Sequence, residues 1–313
     1  MVKGDSFTGF LACTKVRVDE AKNKKTYCDV TLFDGETEVM GKIWDHEPPT
    51  PIENSILKVA GIVDEYRGNK QLKITQWRQS KPEDGVKPDM FLPVTPMDRA
   101  WLYEQIMDSI QLIEDQDYKD VCVYFYTEYY DDLFNAPSAI GHHHAYLGGN
   151  MEHTYAVLEG CLRLPMTNIN RNLLIAGALL HDVGKIKTYD WSGCSICMSR
   201  QGRLMDHIVI GLQMLAEYAC NHTMDKLKFE LLSHMIASHH GKLEWGSPTE
   251  PVLKEAMILH NADVMDATLF KVDKVLDDCD KDSEWTGKVK GMRNEMYANT
   301  GRVDTYGLEQ RDQ

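Results

Sequence analysis

From Phe7 to Trp77 the chain is written in short runs of β-branched and aromatic residues separated by polar ones. TYCDVTLFD and TEVMGKIWD alternate loosely, and ILKVAGIVDEYRGNKQLKITQW is two such runs around Gly68-Asn69, a dipeptide suited to a hairpin turn. These runs predict five strands in about 75 residues, the size of a small OB-type barrel. The following RQSKPEDGVKPDMFLPVTP is rich in proline and charge and has little periodicity, so it reads as a linker. After Pro96 the apolar spacing turns helical in MDRAWLYEQIMDSIQLIED, MEHTYAVLEGCLRL, NRNLLIAGALLHDVGK, DHIVIGLQMLAEYA, DKLKFELLSHMIASHH and PVLKEAMILHNADVMDATLF. The expectation is a multidomain chain: an all-β OB-type barrel over residues 1–80, a linker over 81–96, an all-α helical bundle over 97–280 and a polar C-terminal tail over 281–313. No internal repeat is visible.

Charge sharpens that division. The net charge of -14 argues against loose, sequence-blind binding of nucleic acid by the whole surface. Residues 1–96 carry 14 Lys and Arg against 15 Asp and Glu, so almost all the negative charge lies in the helical part. An acidic region can be acidic because it holds cations. Eight cysteines without a disulfide-like pattern suit a reducing compartment. The opening MVKGDSFTGF has no signal-peptide pattern, and no apolar run has membrane-spanning length. A cytoplasmic protein with no membrane partner is expected.

The stretch LLIAGALLHDVGKIKTY brings chemistry into the picture. An apolar helix ends in His181 and Asp182, followed by Gly184 and Lys185. A lone dyad of this kind is more often a capped, hydrogen-bonded structural pair. Here, however, His153, His207, His239, His240 and Asp263 sit on the neighbouring helical segments. Neutral imidazoles suit Zn, Mn, Fe, Co and Ni, and carboxylates add hard oxygen donors. One carboxylate can bridge two ions about 3.5–4 Å apart, a spacing suited to both the attacking and the leaving oxygen at a phosphoryl centre. No Ser or Cys stands in a nucleophile motif, so a metal-bound hydroxide is the better nucleophile candidate. Gly184 is expected to break the helix so that Lys185 can swing toward the metals as a point charge for phosphate.

In order, His153, His181-Asp182 and Asp263 resemble the ligands of the HD phosphohydrolase superfamily. HHAYLGGNMEHT, LLHDVGK, DHIVIG, ASHHG and ADVMDA are similar to the YhaM-type 3′–5′ exoribonucleases, which also carry an OB domain ahead of the HD domain. The resemblance covers nearly the whole chain and implies that the bundle is an HD-domain metal-dependent phosphohydrolase. It implies hydrolysis of single-stranded RNA, or of single-stranded DNA, from the 3′ end. It implies two divalent ions, Mn2+ foremost, with Mg2+, Co2+, Fe2+ and Ni2+ as alternatives. His153, His181, Asp182 and Asp263 would hold one ion, and Asp182 would bridge to a second held by His207, His239 and His240. Asp182 and Lys185 would be catalytic, with Lys185 steadying the scissile phosphate and His143 and His144 touching substrate. Two departures are visible: Asn150-Met151 where the family has apolar residues, and Asp206 where it has glycine. Asp206 either caps the helix that begins at His207 or reaches the second metal.

An OB barrel holds single strands by stacking bases on aromatics and following the backbone with basic residues. The period-2 rule puts Tyr27 and Asp29 on one face and Cys28 and Val30 on the other, so Tyr27 is a stacking candidate. Tyr66 and Arg67, near the hairpin turn, join it; Lys24, Lys25 and Lys70 are further basic candidates, and a solvated face is the bland reading for them. Phe33 and Trp44 are assigned to the core in preference to the surface, and Trp77 is a further stacking candidate. Cys194 and Cys197 form a lone C-x-x-C in a short hairpin, with no second pair to make a zinc knuckle. Asp266, three residues after Asp263, is placed to brace a ligand. Two other functions stay in view: an HD phosphohydrolase of small nucleotides or cyclic dinucleotides, with the barrel used for homo-oligomer assembly, and a non-catalytic nucleic-acid-binding module. The barrel favours a polymer substrate, and the complete ligand set disfavours the binding module.

Overall fold

The computed structural model describes residues 3–21, 24–35, 37–66, 69–140, 144–163, 167–280, 283–289 and 291–298. Five strands, β1 (Ser6–Glu20), β2 (Thr26–Phe33), β3 (Glu38–Trp44), β4 (Ser55–Tyr66) and β5 (Asn69–Gln79), close into a barrel in the order β1-β2-β3-β5-β4. All neighbours are antiparallel except β3 and β5, which run parallel. This is the Greek-key closure of an OB barrel. Alternation does the sorting: Cys28, Val30 and Leu32 of β2 point inward with Leu11, Leu57, Val59 and Leu72. Trp44 corrects the sequence expectation. Ile43 takes the inward place at the end of β3, so Trp44 faces out at 47% exposure beside Tyr27, with ring centroids 5.5 Å apart. Phe33 packs at the edge of a second cluster and Trp77 against the barrel core.

The helical part comprises α1 (Arg99–Gln111), α2 (Gln116–Glu128), α3 (Tyr130–Asn135), α4 (Gly149–Arg163), α5 (Arg171–Leu180), α6 (Lys185–Thr188), α7 (Arg200–Asn221), α8 (Lys226–Ser238) and α9 (Lys254–Asp277). Asp98, Asp115, Asn170, Ser199 and Asp225 cap α1, α2, α5, α7 and α8 through side-chain bonds to first-turn N–H groups. At ten residues α5 is too short to persist alone in water. It forms because Leu173, Leu174, Ile175, Leu179 and Leu180 are all buried, each worth about 1.5–3 kcal/mol. It therefore lies in the core, and its C-terminal end delivers His181 and Asp182 to the centre of the bundle.

The stretch 81–96, expected to be a featureless linker, is packed. It has short 3-10 turns at Pro82–Asp84 and Pro88–Phe91, and Phe91 and Leu92 are buried. Phe91 joins Ala12, Ile56 and Cys194 in a cluster between barrel and bundle. Cys194 belongs to the small hairpin β6 (Tyr189–Asp190) and β7 (Cys197–Met198), and Ser195 Oγ donates to Asn54 Oδ1 of the barrel at 2.8 Å. The C-x-x-C hairpin thus docks the two parts. Val94 bridges Leu147. Within the expected polar tail, β8 (Trp285–Lys288) pairs with β9 (Glu295–Tyr297). No described helix is long and apolar enough to cross a membrane.

Candidate metal centre

Asp182 organises the site because its two carboxylate oxygens face different histidines. Oδ2 lies 3.4 Å from His153 Nε2, 3.3 Å from His181 Nε2 and 2.6 Å from Lys185 Nζ. Oδ1 lies 3.4 Å from His207 Nε2 and 3.7 Å from His239 Nε2. Asp263 Oδ1, from the middle of α9, is 3.2 Å from His153 Nε2. His153, His181 and Asp263 bring one ligand atom each within 4.8 Å of one another, and so do His207, His239 and His240.

All five histidines that line this centre are held by the nitrogen that faces away from it. Nδ1 of His181 donates to Ala178 O at 2.8 Å, that of His239 to Ile236 O at 2.7 Å and that of His240 to Trp245 O at 2.9 Å. A carbonyl only accepts, so the proton sits on Nδ1 and Nε2 keeps its lone pair. His153 Nδ1 is bound to Asp266 at 2.6 Å and His207 Nδ1 to Asp206 at 2.7 Å. A bond on the far nitrogen is how metal-binding imidazoles are oriented. Among the described residues, Asp182 Oδ1, His207 Nε2 and His239 Nε2 are buried without a hydrogen-bond partner. Orphaned buried polar atoms carry a desolvation penalty. Three of them converging, with His153 Nε2 and His181 Nε2 only 3.3 Å apart, fit a divalent cation as the missing partner.

The same contacts shift the titrating groups, and at His153 the carboxylates hold a proton in the place a cation would take. Burial pushes Asp182 up, but Lys185 and His181, with bonds from His153 and His181, hold it well below the usual carboxylate range. Burial opposes the charge on His153 too, yet its bonds to Asp182, Asp263 and Asp266 raise it well above an ordinary imidazole. His239 is lowered by burial and by His181, and His240 by burial and by His207, so both stay neutral.

Three glycine and aspartate positions explain local motifs. Gly184 has ordinary helical angles, φ -63° and ψ -16°, so it does not break the helix as expected. It is needed for proximity: a Cβ there would lie 2.6 Å from Gly211 N and 2.9 Å from His207 C, and closer still to the His207 carbonyl oxygen. Gly241, after the histidine pair, has φ +76° and packs its α-carbon on the His260 ring, whose Nδ1 bonds His239 O at 2.8 Å. Asp206 sits at φ +59° and ψ 165°, a kink within α7. It caps: its Oδ1 accepts from the His207 N–H at 2.6 Å and also holds the His207 ring, a bond that lowers its own pKa to about 2.

Of the other expected site residues, Lys185 is buried at 6% exposure and donates to Ser138 Oγ at 3.0 Å as well as to Asp182. His144 requires a correction. It is 4% exposed, and its Nε2 contacts Asp266 at 3.2 Å while Nδ1 meets the Tyr146 hydroxyl at 2.9 Å and Glu152 at 3.4 Å. Glu152 in turn accepts from Thr95. His144 is therefore part of a polar chain that braces Asp266 and His153, away from the open cleft. Arg67, His143 and the Tyr66 side chain lie outside the described residues. Tyr27 is half-buried, with Lys42 Nζ 4.0 Å from its ring centroid and 4.9 Å from that of Trp44. Sequence reasoning missed Thr95, Glu152 and Ser138; no spacing signal marks them, because their partners are distant in the chain.

A five-stranded OB-type barrel joined to a helical bundle with this histidine–aspartate centre defines an HD-domain protein, and the HD domain profile matches residues 150–268. The chain is 33% identical over 302 residues to the 3′–5′ exoribonuclease YhaM of Listeria innocua serovar 6a, covering 95% of this chain and 96% of the relative. The YhaM of Oceanobacillus iheyensis is 32% identical over 300 residues, 94% of each chain, and that of Bacillus velezensis 31% over 283 residues, 88% and 89%. The chain belongs to the YhaM 3′–5′ exoribonuclease family.

Proposed function

We propose that this protein is a metal-dependent 3′–5′ exoribonuclease acting on single-stranded RNA, with single-stranded DNA as a lesser substrate. The observation that carries the reading is Asp182 with one oxygen toward His153 and His181 and the other toward His207 and His239, in a member of this family. His153, His181, Asp263 and Asp182 Oδ2 would hold one divalent ion; His207, His239, His240 and Asp182 Oδ1 would hold the other. The mixed imidazole and carboxylate set disfavours Mg2+, which prefers oxygen ligands alone, and is compatible with Mn2+, the ion proposed here, as with Co2+, Fe2+ and Ni2+. When bound, such ions acidify water and offset charge on a phosphoryl centre. Lys185 presents its ammonium to the scissile phosphate from a position fixed by Ser138. Asp266, Asp206 and the backbone carbonyls keep each Nε2 aimed inward, so no ring has to reorient when substrate arrives.

The barrel, residues 1–80, supplies the strand-holding surface. Tyr27 and Trp44 offer adjacent aromatic faces, and Lys42 beside them offers a cation to the backbone.

The test uses 5′-labelled RNA with Mn2+, Mg2+ or EDTA. A ladder that shortens from the 3′ end with Mn2+, stops with EDTA and is lost in Asp182→Ala and in the isosteric Asp182→Asn supports the reading. RNA left intact by the parent protein under every condition refutes it.

A further inference from the structure

The cleft over the candidate metal centre mixes two kinds of lining. Its volume is about 310 Å³, and Asp182, Lys185 and His207 share its wall with Ser138, Val264 and Trp245. That volume is at the small end for ligand sites, ~300–1,000 Å³, enough for one nucleotide but not for a length of strand.

Trp245 is an unusual residue to leave open. It is 48% exposed, although an indole is among the largest apolar groups a core can bury. Its position is nevertheless fixed. It ends a 3-10 turn, Leu243–Trp245, closed by Gly246 at φ +84°. Its carbonyl accepts from His240 Nδ1 at 2.9 Å, so the loop is tied to a residue of the metal centre. Ser247 Oγ pins the same loop to α8 by donating to Ala237 O at 3.0 Å. Lys242 Nζ lies over the indole, 4.4 Å from its centroid, and covers one face with a cation, so a base would stack on the other. Among the described residues lining the cleft there is no Asn, Gln or Arg, the side chains that make bidentate contacts with A or G edges most often, and Lys185 is already engaged by Asp182 and Ser138.

We infer that Trp245 is the stacking platform for the base of the terminal nucleotide, whose phosphodiester lies against the histidines and Asp182 that line the same cleft. The inference deepens the exoribonuclease reading and rests on it for the identity of the polymer. The ligand class is any purine or pyrimidine nucleotide. Stacking on an indole is indifferent to base identity, because every base has a π-face. A stacking platform of this kind therefore suits an enzyme that removes each successive nucleotide whatever its sequence.

The experiment compares binding of AMP and of ribose 5-phosphate, which lacks the base, to the Mn2+-loaded full-length protein by calorimetry, so that no hydrolysis is needed. The parent protein is expected to bind AMP about 5- to 150-fold more tightly than ribose 5-phosphate, the range that base–aromatic stacking spans. Trp245→Leu, similar in apolarity but without a ring, should bring that ratio close to one, and Trp245→Phe should restore most of it. A ratio near one in the parent, or the same ratio in parent and Trp245→Leu, overturns the platform. The two readings fail separately: a Trp245-dependent AMP preference in a protein that never shortens RNA keeps the platform and removes the exoribonuclease.

Discussion

At Asp206 the usual order of alanine and glycine within a helix should be reversed. Alanine is ordinarily the better residue there by about 1 kcal/mol. Asp206, however, holds φ +59° and ψ 165°, a region that is almost exclusive to glycine and costs any other residue roughly 1–3 kcal/mol. Asp206→Ala and Asp206→Gly both remove the carboxylate that orients His207, so their difference isolates the backbone. Relief of strain, ~2 kcal/mol at mid-range, less the glycine entropy penalty of ~0.5–1 kcal/mol, leaves Asp206→Gly more stable than Asp206→Ala by about 1 kcal/mol. For a unit of this size that is about 2–4 °C in Tm. Thermal melts of the metal-free proteins read it directly. Calorimetric titration with Mn2+ should meanwhile show both variants weakened by about 10–100-fold, the loss typical when the group behind a ligating histidine is removed. Asp206→Gly no more stable than Asp206→Ala refutes the strain argument. Unchanged Mn2+ affinity in both refutes the role given to the Asp206–His207 bond.

Two further expectations concern packing and pH. Gly184→Ala forces the turn after α5 off the α7 backbone; overpacking of this kind costs about 1–3 kcal/mol, and a displacement of the order of 1 Å at Asp182 and Lys185 lowers kcat/KM by about 100-fold. Parent-like Tm and kcat/KM in that variant would show that the approach is not tight. Arg78, bonded to Asp84 through two contacts of 2.7 Å, and the Lys81 N–H hold the Asp84 carboxyl below the ordinary range. A lowered carboxylate pKa stabilises the fold above the unfolded-state value, about 3.9, and that contribution is lost as pH falls through the lower folded-state value. The Tm gap between the parent and Asp84→Asn should accordingly be constant from about pH 8 to 5 and narrow below about pH 4. A gap that widens in acid refutes the assignment.

The proposed ligand set could be picked out in the sequence because His181-Asp182 and His239-His240 follow the ends of α5 and α8, and His153, His207 and Asp263 interrupt the apolar periodicity of α4, α7 and α9. The five strands were legible from alternation and from the turn at Gly68-Asn69. What escaped notice depends on contacts distant in the chain. His144 looked like a loop residue free to meet substrate, but its burial is decided by Asp266, 122 residues away. Trp44 was misassigned because the last residue of a strand can fall on either face, and only the closure of β3 against β2 shows that Ile43 turns inward. Proline and charge in 81–96 argue for a linker; Phe91 and Leu92 are nevertheless buried, Phe91 in the surface that the barrel and the C-x-x-C hairpin make together. Gly184 was rightly singled out, but a single sequence cannot separate a glycine that bends the chain from one that lets two backbones meet.

The donors proposed for the metal centre span residues 153 to 263, and the last of them rides on α9, which packs back onto α4 and α5. No stretch of chain ending before Asp263 contains the set. During synthesis, therefore, the barrel emerges first, then the histidine-bearing helices, and the centre closes only when α9 has left the ribosome. With these donors, the growing polypeptide lacks the complete site until then, which spares nearby transcripts, including the message being translated to make it.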